Sequence, residues 1–355
     1  MTKKILVVAT GGTIGSSFID GERRLNADVA KSILLDNFAE SSSPYASLGK
    51  ALFADSELKL KTLSENITLG KLFSIAEHIR KREREELAGI IVLHGTDTLA
   101  FSAAMLSLLF CDIDKPMILV SGNCPPDYAE SNANANFRAA VELICGGLAP
   151  NVYAAYRNSD GRMYLHLGST LLQCADRSED FLNASREKVF LLDRNNELLP
   201  DGKEKCRELS NKRRTDMGGL MRKVRSLERC VMLIRPYVGL DYSMISLQGV
   251  CGVVHGVYHS GTVCVDGSDG RSSVIRFGKR CDGLGIPMFI APCKLDESQY
   301  ESAYEAERQG LVPLNITTEL AYCKLLVGVS AGLSKPALRE FMETEINGEY
   351  LDQTE

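Results

Sequence analysis

The sequence predicts an α/β fold, with a doubly wound, mainly parallel sheet in an N-terminal domain and a second, smaller α/β domain after it. Three observations support this prediction. Short runs of β-branched and aliphatic residues alternate with windows in which apolar residues recur at helical spacing. A polar stretch interrupted by proline and glycine separates two such alternations. The chain of 355 residues is also longer than a single domain usually is.

The predicted elements of the first domain follow the order that parallel strand-helix-strand units require. Apolar strands are expected at 5–9, 89–93, 116–120 and 152–156. Amphipathic helices are expected at 69–86 and 130–145, and a further apolar helix is expected to start near Leu99. These helices should cover the faces of the sheet.

The polar stretch 186–229 is the expected connection between an N-terminal domain at 1–185 and a C-terminal domain at 230–355. It holds 13 basic and 8 acidic side chains. A solvated connection with one or two polar helices explains this composition better than a nucleic-acid-binding patch does. Beyond it, strands are expected at 231–235, 252–258 and 287–291, and helices at 270–283, 300–309, 317–327 and 335–343.

Composition and charge exclude several classes of protein. Apolar residues make up 45% and charged residues 25% of the chain, an ordinary mixture that excludes disordered, collagen-like and coiled-coil proteins. With a formal charge of −5, the chain has no positive field that would gather polyanions. We therefore expect no nucleic-acid partner and no membrane partner.

The cysteines and histidines indicate neither disulfides nor a metal site. The eleven cysteines are odd in number and never form Cys-x-x-Cys, so reduced thiols in a cytoplasmic protein are expected. His166, His255 and His259 show no ligand spacing with one another or with a cysteine. The sequence contains no apolar segment long enough for a signal peptide or a membrane span. We expect a cytoplasmic location and no metal.

Three glycine-containing loops follow predicted strands of the first domain. They are Thr10-Gly11-Gly12-Thr13-Ile14-Gly15, His94-Gly95-Thr96-Asp97-Thr98 and Ser121-Gly122-Asn123. Because ligands of parallel sheets bind outside the carboxyl ends of the strands, we expect these loops to share one site. The first loop fits neither G-x-G-x-x-G nor a P-loop, which disfavours a nucleotide. For Thr96 or Asp97, a simpler alternative is a cap on the helix that starts near Leu99.

The first two loops resemble the two signatures of the bacterial-type asparaginase and glutaminase family, and the chain is most similar to its cytosolic type I branch. The signatures are Thr-Gly-Gly-Thr-Ile-Gly and, about 80 residues later, His-Gly-Thr-Asp-Thr-Leu. The similarity extends through Leu63-Ser64-Glu65-Asn66 and, more loosely, 131–137, 235–237, 258–261 and 317–327. It covers nearly the whole chain and is weakest over 186–229.

The resemblance implies hydrolysis of L-asparagine to L-aspartate and ammonia. Thr13 would attack the side-chain amide and form an acyl-enzyme, which water then hydrolyses. Thr96 would orient this water or serve as an alternative nucleophile. Asp97, and in some relatives Glu65, would pair with the α-ammonium of the substrate, while Ser64 would hold its α-carboxylate.

The resemblance also implies a catalytic set and a binding set. The catalytic set is Thr13, Thr96 and Asp97, and the substrate-binding set is Gly12, Ser64, Glu65, Gly95, Thr96 and Asp97. Backbone amides around Gly12 and Thr96 are expected to stabilise the tetrahedral oxyanion. The family implies no cofactor, a small amino-acid amide as substrate, and a homodimer or homotetramer.

The sequence departs from the family at two groups that would activate a hydroxyl nucleophile. The family places a Tyr in the mobile loop after the first signature, but residues 14–33 contain none. It also places a Lys beside the Thr-Asp pair of the second signature, where the alignment puts Leu172. Candidate replacements are Arg23, Arg24 and Tyr258, although an arginine stays protonated and is a poor base.

Two alternative functions follow from these departures. One is a non-catalytic asparagine or aspartate binder or sensor of the same fold. The other is the amidase subunit of a tRNA-dependent amidotransferase, whose substrate loop also resembles Ser64-Glu65-Asn66. Such subunits carry an extra N-terminal domain, whereas the first strand here is expected to begin at about residue 4, so this alternative ranks last. The preference between asparagine and glutamine stays open.

Overall fold

A computed structural model describes residues 3–19, 22–54, 56–295 and 300–351. The chain divides into two units. The first consists of Met1–Gly218 together with Ile346–Gly348, and the second of Gly219–Glu345 with Glu349–Glu355. Each unit combines a parallel sheet with helices, so the predicted α/β class is confirmed.

The sheet of the first unit is mainly parallel. Its strands are β1 (Lys4–Ala9), β4 (Phe53–Ala54), β5 (Leu87–Leu93), β6 (Met117–Val120), β7 (Val152–Arg157), β8 (Met163–Leu167) and β9 (Val189–Leu191). They lie in the order β4-β1-β5-β6-β7-β8-β9. The first five are paired in parallel, while β8 and β9 are antiparallel. Two further strands, β2 (Ser16–Ile19) and β3 (Glu22–Leu25), form a separate antiparallel hairpin.

The winding order of this sheet reverses at β1. Strand β4 lies on one side of β1, whereas β5, β6 and β7 follow on the other side. The carboxyl ends of β1 and β5 therefore flank a topological switch point, which is where doubly wound sheets form their ligand crevice. Both first-domain signatures begin at these two strand ends.

The helices of the first unit are buried to different degrees. They are α1 (Ala27–Ala39), α2 (Leu69–Arg82), α3 (Leu99–Leu109), α4 (Ala133–Cys145) and α5 (Pro200–Asn211), and a short α6 (Gly218–Met221) follows. Nearly every residue of α3 is buried, as expected for a helix that is apolar on all sides. Helix α2 begins at the side-chain cap of Thr68 and ends four residues earlier than predicted, after a last turn with three basic residues.

Much of the predicted connecting region 186–229 belongs to the first unit. Strand β9 pairs with β8, and Phe190, Leu192, Cys206 and Leu209 lie in the core cluster of that unit. The polar composition of this stretch concealed a strand of only three residues and a helix that buries few side chains. The units divide at Gly218 and Gly219.

The second unit contains a parallel sheet in the order β10-β11-β12-β13, with β10 (Val231–Ile234), β11 (Gly252–His255), β12 (Met288–Ile290) and β13 (Val312–Pro313). Its helices are α7 (Val274–Gly283), α8 (Glu301–Arg308), α9 (Thr318–Ser330) and α10 (Lys335–Glu343). All but β13 lie within or close to predicted segments. The fully buried Lys324 pairs with Glu349 at 3.0 Å. Among the described residues of the whole chain, we find no helix with the length and apolarity needed to cross a membrane.

Candidate active site

A cavity of about 880 Å³ lies in the first unit at residues of the two signature loops. Thr13, Ser64, Glu65, Thr96 and Asp97 all line it. The structure thus brings the predicted catalytic residues together with Ser64 and Glu65 from separate loops. Gly12 and Gly95, the other two predicted binding residues, are buried and do not line this cavity.

The signature glycines hold the loops together through close backbone packing. A Cβ atom on Gly12 would lie 2.2 Å from the Cα of Gly95, and a Cβ on Gly11 would lie 2.2 Å from the carbonyl oxygen of Thr62. Both glycines also have positive φ, 72° at Gly12 and 119° at Gly11, a region that favours glycine. These glycines therefore serve loop packing rather than a phosphate.

The backbone amide of Gly12 is committed to the fold. It donates to the carbonyl of Thr62 at 2.9 Å, and the amide of Thr62 donates to the carbonyl of Thr10 at 2.9 Å. The expectation that amides around Gly12 stabilise an oxyanion therefore needs a correction at Gly12 itself. The neighbouring amide of Thr13 and that of Thr96 are the candidates that fit this role.

Asp97 and Ser64 form a direct pair at the cavity wall. The Ser64 hydroxyl donates to Oδ2 of Asp97 at 2.5 Å, and the hydroxyl of Thr98 donates to the Ser64 carbonyl at 2.9 Å. The residue at the N-cap of α3 is Thr98, and it makes no side-chain cap. The alternative that Thr96 or Asp97 caps this helix is therefore wrong, and the Asp97 carboxylate faces the cavity with Ser64 as its partner.

His94 fixes the shape of the second signature loop. Its Nδ1 lies 2.8 Å from the carbonyl oxygen of Gly95, and its Nε2 lies 2.9 Å from the hydroxyl of Ser102. Because a carbonyl only accepts, Nδ1 carries the proton and Nε2 accepts from Ser102. Burial lowers the pKa of His94, although the Gly95 carbonyl and the Asp97 charge oppose this shift. His94 is a neutral, orienting side chain, as its position beside Gly95 predicts.

The side-chain hydroxyls of Thr13 and Thr96 have no hydrogen-bond partner among the described residues. Thr13 is half-buried in a short 3-10 turn, and Thr96 is half-buried at the start of the second loop. Neither hydroxyl makes a hydrogen bond within the parts of the chain that the structure describes. Both hydroxyls are therefore open to hydrogen bonding by a ligand in the cavity.

Leu172, which the alignment puts in the position of the family's Lys, is not among the residues that line the cavity. The cavity is lined by the next two residues, Gln173 and Cys174, and not by Leu172. The Cys174 thiol donates to the carbonyl of Asp180 at 3.2 Å. Burial, followed by the charges of nearby carboxylates, raises the pKa of Cys174 to about 11. This thiol is therefore protonated at neutral pH and is not a nucleophile.

The other proposed replacements lie elsewhere or outside the described part. The side chain of Arg23, like residue Asp20, lies outside the described residues. Arg24 is exposed and does not line the cavity, and Tyr258 belongs to the second unit.

Sequence reasoning missed several residues of the cavity wall. They are Tyr156, Gln173, Asp176, Arg177 and Glu179. With Glu65 and Asp97, the wall thus carries four carboxylates against one guanidinium. This excess of negative charge suits a ligand with an ammonium group. The residues described contain no cluster of three or more histidine, cysteine, aspartate or glutamate side chains that could hold a metal ion.

The fold and the cavity define a class of protein. It is a two-unit α/β protein with a ligand crevice at the switch point of its first sheet, where threonine hydroxyls lie beside a serine-aspartate pair.

Comparisons with known proteins agree with this class. Residues 4–180 match the family description "Asparaginase, N-terminal". The chain therefore belongs to the asparaginase family.

Similar proteins include amidotransferase subunits and asparaginases. A glutamyl-tRNA(Gln) amidotransferase subunit from Sulfolobus acidocaldarius is 24% identical over 98% of this chain and 75% of its own length. An L-asparaginase from Dirofilaria immitis is 25% identical over 50% of this chain and 32% of its own length. The crystal structure of L-asparaginase I from Vibrio cholerae superposes with a TM-score of 0.74 at 20% identity, covering 99% of each chain. At this identity, the superposition establishes the fold.

Proposed function

We propose that this protein hydrolyses L-asparagine to L-aspartate and ammonia, with Thr13 as the nucleophile. The observation that carries the proposal is the meeting of Thr13, Thr96, Asp97, Ser64 and Glu65 around one cavity, although they come from three separate loops. Membership of the asparaginase family supports the same reaction.

Each group has a part in the proposed reaction. Asp97 binds the α-ammonium. The single hydroxyl proton of Ser64, which is donated to Asp97 in this structure, turns to the α-carboxylate when the substrate binds. The Thr13 oxygen forms a bond to the amide carbon, the carbon-nitrogen bond breaks, and the hydroxyl proton leaves with ammonia. Water positioned by Thr96 then hydrolyses the ester and restores the Thr13 hydroxyl.

A comparison of Thr13→Ala and Thr13→Ser tests the nucleophile. We expect purified protein to release ammonia from asparagine, Thr13→Ala to lower kcat by about 10²–10⁴-fold, and Thr13→Ser to keep part of the activity because it keeps a hydroxyl. Melting temperatures of both variants equal to that of the wild-type protein exclude a folding defect. Full activity of Thr13→Ala refutes the assigned nucleophile.

The amidase subunit of a tRNA-dependent amidotransferase is a second candidate. It is favoured by the Sulfolobus amidotransferase protein, which matches nearly the whole of this chain. It predicts ammonia release that is weak in the protein alone and rises strongly when a partner subunit and aminoacyl-tRNA are added. Robust turnover by the protein alone favours the asparaginase.

A non-catalytic binder is the third candidate. It predicts that asparagine or aspartate raises the melting temperature, because a ligand of the native state stabilises it by mass action, while no ammonia forms. Measurement of both quantities on one preparation separates this candidate from the two enzymes.

We further propose a cytoplasmic homodimer or homotetramer that acts on a small amino-acid amide and binds neither nucleic acid nor membrane. The eleven cysteines, all of which lie in the described part of the chain, are free thiols, which supports a reducing compartment. Light scattering after size-exclusion chromatography measures the oligomeric state directly.

A further inference from the structure

Tyr156 lies at the same sheet edge as the signature loops. It is the penultimate residue of β7, which pairs in parallel with β6 up to Val120 and Ala155. Its side chain lines the cavity that Thr13, Thr96 and Asp97 also line, yet the residue is only 1% exposed. A tyrosine is thus built into the wall of the proposed substrate site.

The hydroxyl of Tyr156 has hydrogen-bonding capacity that the described protein does not use. Its oxygen is buried and makes no hydrogen bond there. The Asn132 side chain is close enough to lower the pKa of Tyr156 through a hydrogen-bonding interaction, but no atom of Asn132 meets the distance and angle of a hydrogen bond with this hydroxyl. The Asn132 Nδ2 donates to the carbonyl of Arg157 at 2.8 Å, and its Oδ1 accepts from the amide of Asn123 at 3.0 Å. Buried hydroxyls normally have a partner, so one without a partner in the wall of a site indicates a ligand contact.

The tyrosine ring is held in place and stays protonated. The Phe181 ring packs edge-on against it, with centroids 4.8 Å apart and an interplanar angle of 74°. Burial is the main cause that raises the pKa of Tyr156 to about 12. The hydroxyl is therefore a fixed, neutral donor rather than a base.

The charges around Tyr156 select the kind of acceptor it can meet. Glu179 lines the same cavity, and the negative charges of Glu179 and Asp180 act on the Tyr156 hydroxyl. A carboxylate placed at this hydroxyl would be repelled, whereas the neutral carbonyl oxygen of an amide would not. The surroundings therefore favour an amide over an acid.

We propose that the Tyr156 hydroxyl donates a hydrogen bond to the side-chain amide oxygen of the bound substrate, and that it is a specificity-determining residue favouring the amide substrate over its carboxylate product. This inference rests on the proposed function and adds to it a group that contacts the reacting amide. It also gives the product a reason to leave, because hydrolysis converts a favourable acceptor into an anion.

Tyr156→Phe tests this proposal, since it removes only the hydroxyl and keeps the ring beside Phe181. Tyr164→Phe is the matched control: Tyr164 is paired with Tyr156 across β7 and β8, but its hydroxyl donates to Asp160 and it does not line the cavity. We expect Tyr156→Phe to lower kcat/KM for asparagine about tenfold, to leave the inhibition constant of aspartate unchanged, and not to lower the melting temperature. The control variant should keep wild-type values.

Two results would overturn the proposal. One is a wild-type kcat/KM in Tyr156→Phe, and the other is an equal loss for asparagine and aspartate together with a lower melting temperature, which indicates a structural role. If the wild-type protein releases no ammonia, the proposed function fails, but the shift in melting temperature caused by asparagine still decides the matter. The contact is then supported if asparagine raises the melting temperature of Tyr156→Phe less than that of the wild-type protein, while aspartate raises both equally. It is refuted if asparagine raises the melting temperature of both proteins equally, or of neither.

Discussion

Replacement of Asp97 by asparagine tests how the site recognises its substrate. The variant keeps the size of the side chain, and its amide oxygen can still accept the hydrogen bond from Ser64, so the loop should keep its conformation. What is lost is the negative charge that we assign to the α-ammonium. Asp201, an exposed residue of the first turn of α5, does not line the cavity, and Asp201→Asn removes the same charge away from the site.

The expected size of the effect follows from the environment of Asp97. Two charges about 4 Å apart attract by about 4 kcal/mol at an effective dielectric constant of 20. Asp97 is exposed to the cavity, so solvent screening reduces this to about 2 kcal/mol, the range of a hydrogen bond to a charged group. Since 1.36 kcal/mol is tenfold, kcat/KM for asparagine should fall about 30-fold.

The assay compares asparagine with succinamic acid, which is the same amide without the α-ammonium. Asp97→Asn should lower kcat/KM for asparagine about 30-fold and change that for succinamic acid by less than about twofold, because the second substrate has no ammonium to lose. Asp201→Asn should affect neither substrate by more than about twofold. An equal loss for both substrates in Asp97→Asn would refute the assignment, since it places Asp97 in the chemical step instead.

Two further predictions concern stability. Burial lowers the pKa of His166 to about 4 from an ordinary value of 6.5. As the pH falls, His166 is therefore protonated in the unfolded chain before it is protonated in the folded protein. The stability that depends on neutral His166 is complete above about pH 6.5 and is lost as the pH falls towards 4. Between pH 7 and pH 5, the free energy of unfolding of His166→Leu should fall by about 2 kcal/mol less than that of the wild-type protein, as measured by urea unfolding at both pH values. The same fall in both proteins would contradict this prediction. Gly95→Ala should lower stability by about 1–3 kcal/mol, because its Cβ would lie 2.4 Å from Oγ of Ser64. Gly219→Ala, with nothing within 4 Å of the added atom, should not destabilise, and equal melting temperatures of the two variants would contradict the packing argument.

The parallel strands of the first unit were predictable because burial on both faces makes them continuous apolar runs. The four predicted strands are confirmed within one or two residues at each end. Strand β8 was not predictable in the same way, since Met163–Leu167 alternates between large apolar and polar aromatic residues and is antiparallel to its neighbours. The edge strands β4 and β13, at two residues each, are shorter than any periodic signal.

The site residues in the two signatures were predictable because glycine, threonine and aspartate at strand ends indicate loops with chemistry. The cavity residues outside the signatures, such as Tyr156, were not predictable. In Val152–Arg157, Tyr156 is one more bulky residue of a buried strand, and only its position at the carboxyl end distinguishes it from core tyrosines. The chain after β8 is irregular and offers no periodic pattern to align. Gln173 and Cys174 line the cavity there, and Leu172, which the alignment by residue type places beside the Thr-Asp pair, does not.

The segment Ile346–Gly348 has a consequence for how the protein is made. It belongs to the first unit, although the chain leaves that unit at Gly218. The Asn347 side chain donates to the carbonyl of Ser107 in α3 at 3.0 Å, and the backbone carbonyl of Asn347 accepts from the Ser169 hydroxyl at 3.2 Å. During synthesis, domains usually fold from the N-terminus onward, yet these contacts form only after residue 348 has left the ribosome. The unit that carries the site thus reaches its final packing only after residue 348 has been translated, so a chain that stops before this residue would lack part of the support beneath α3.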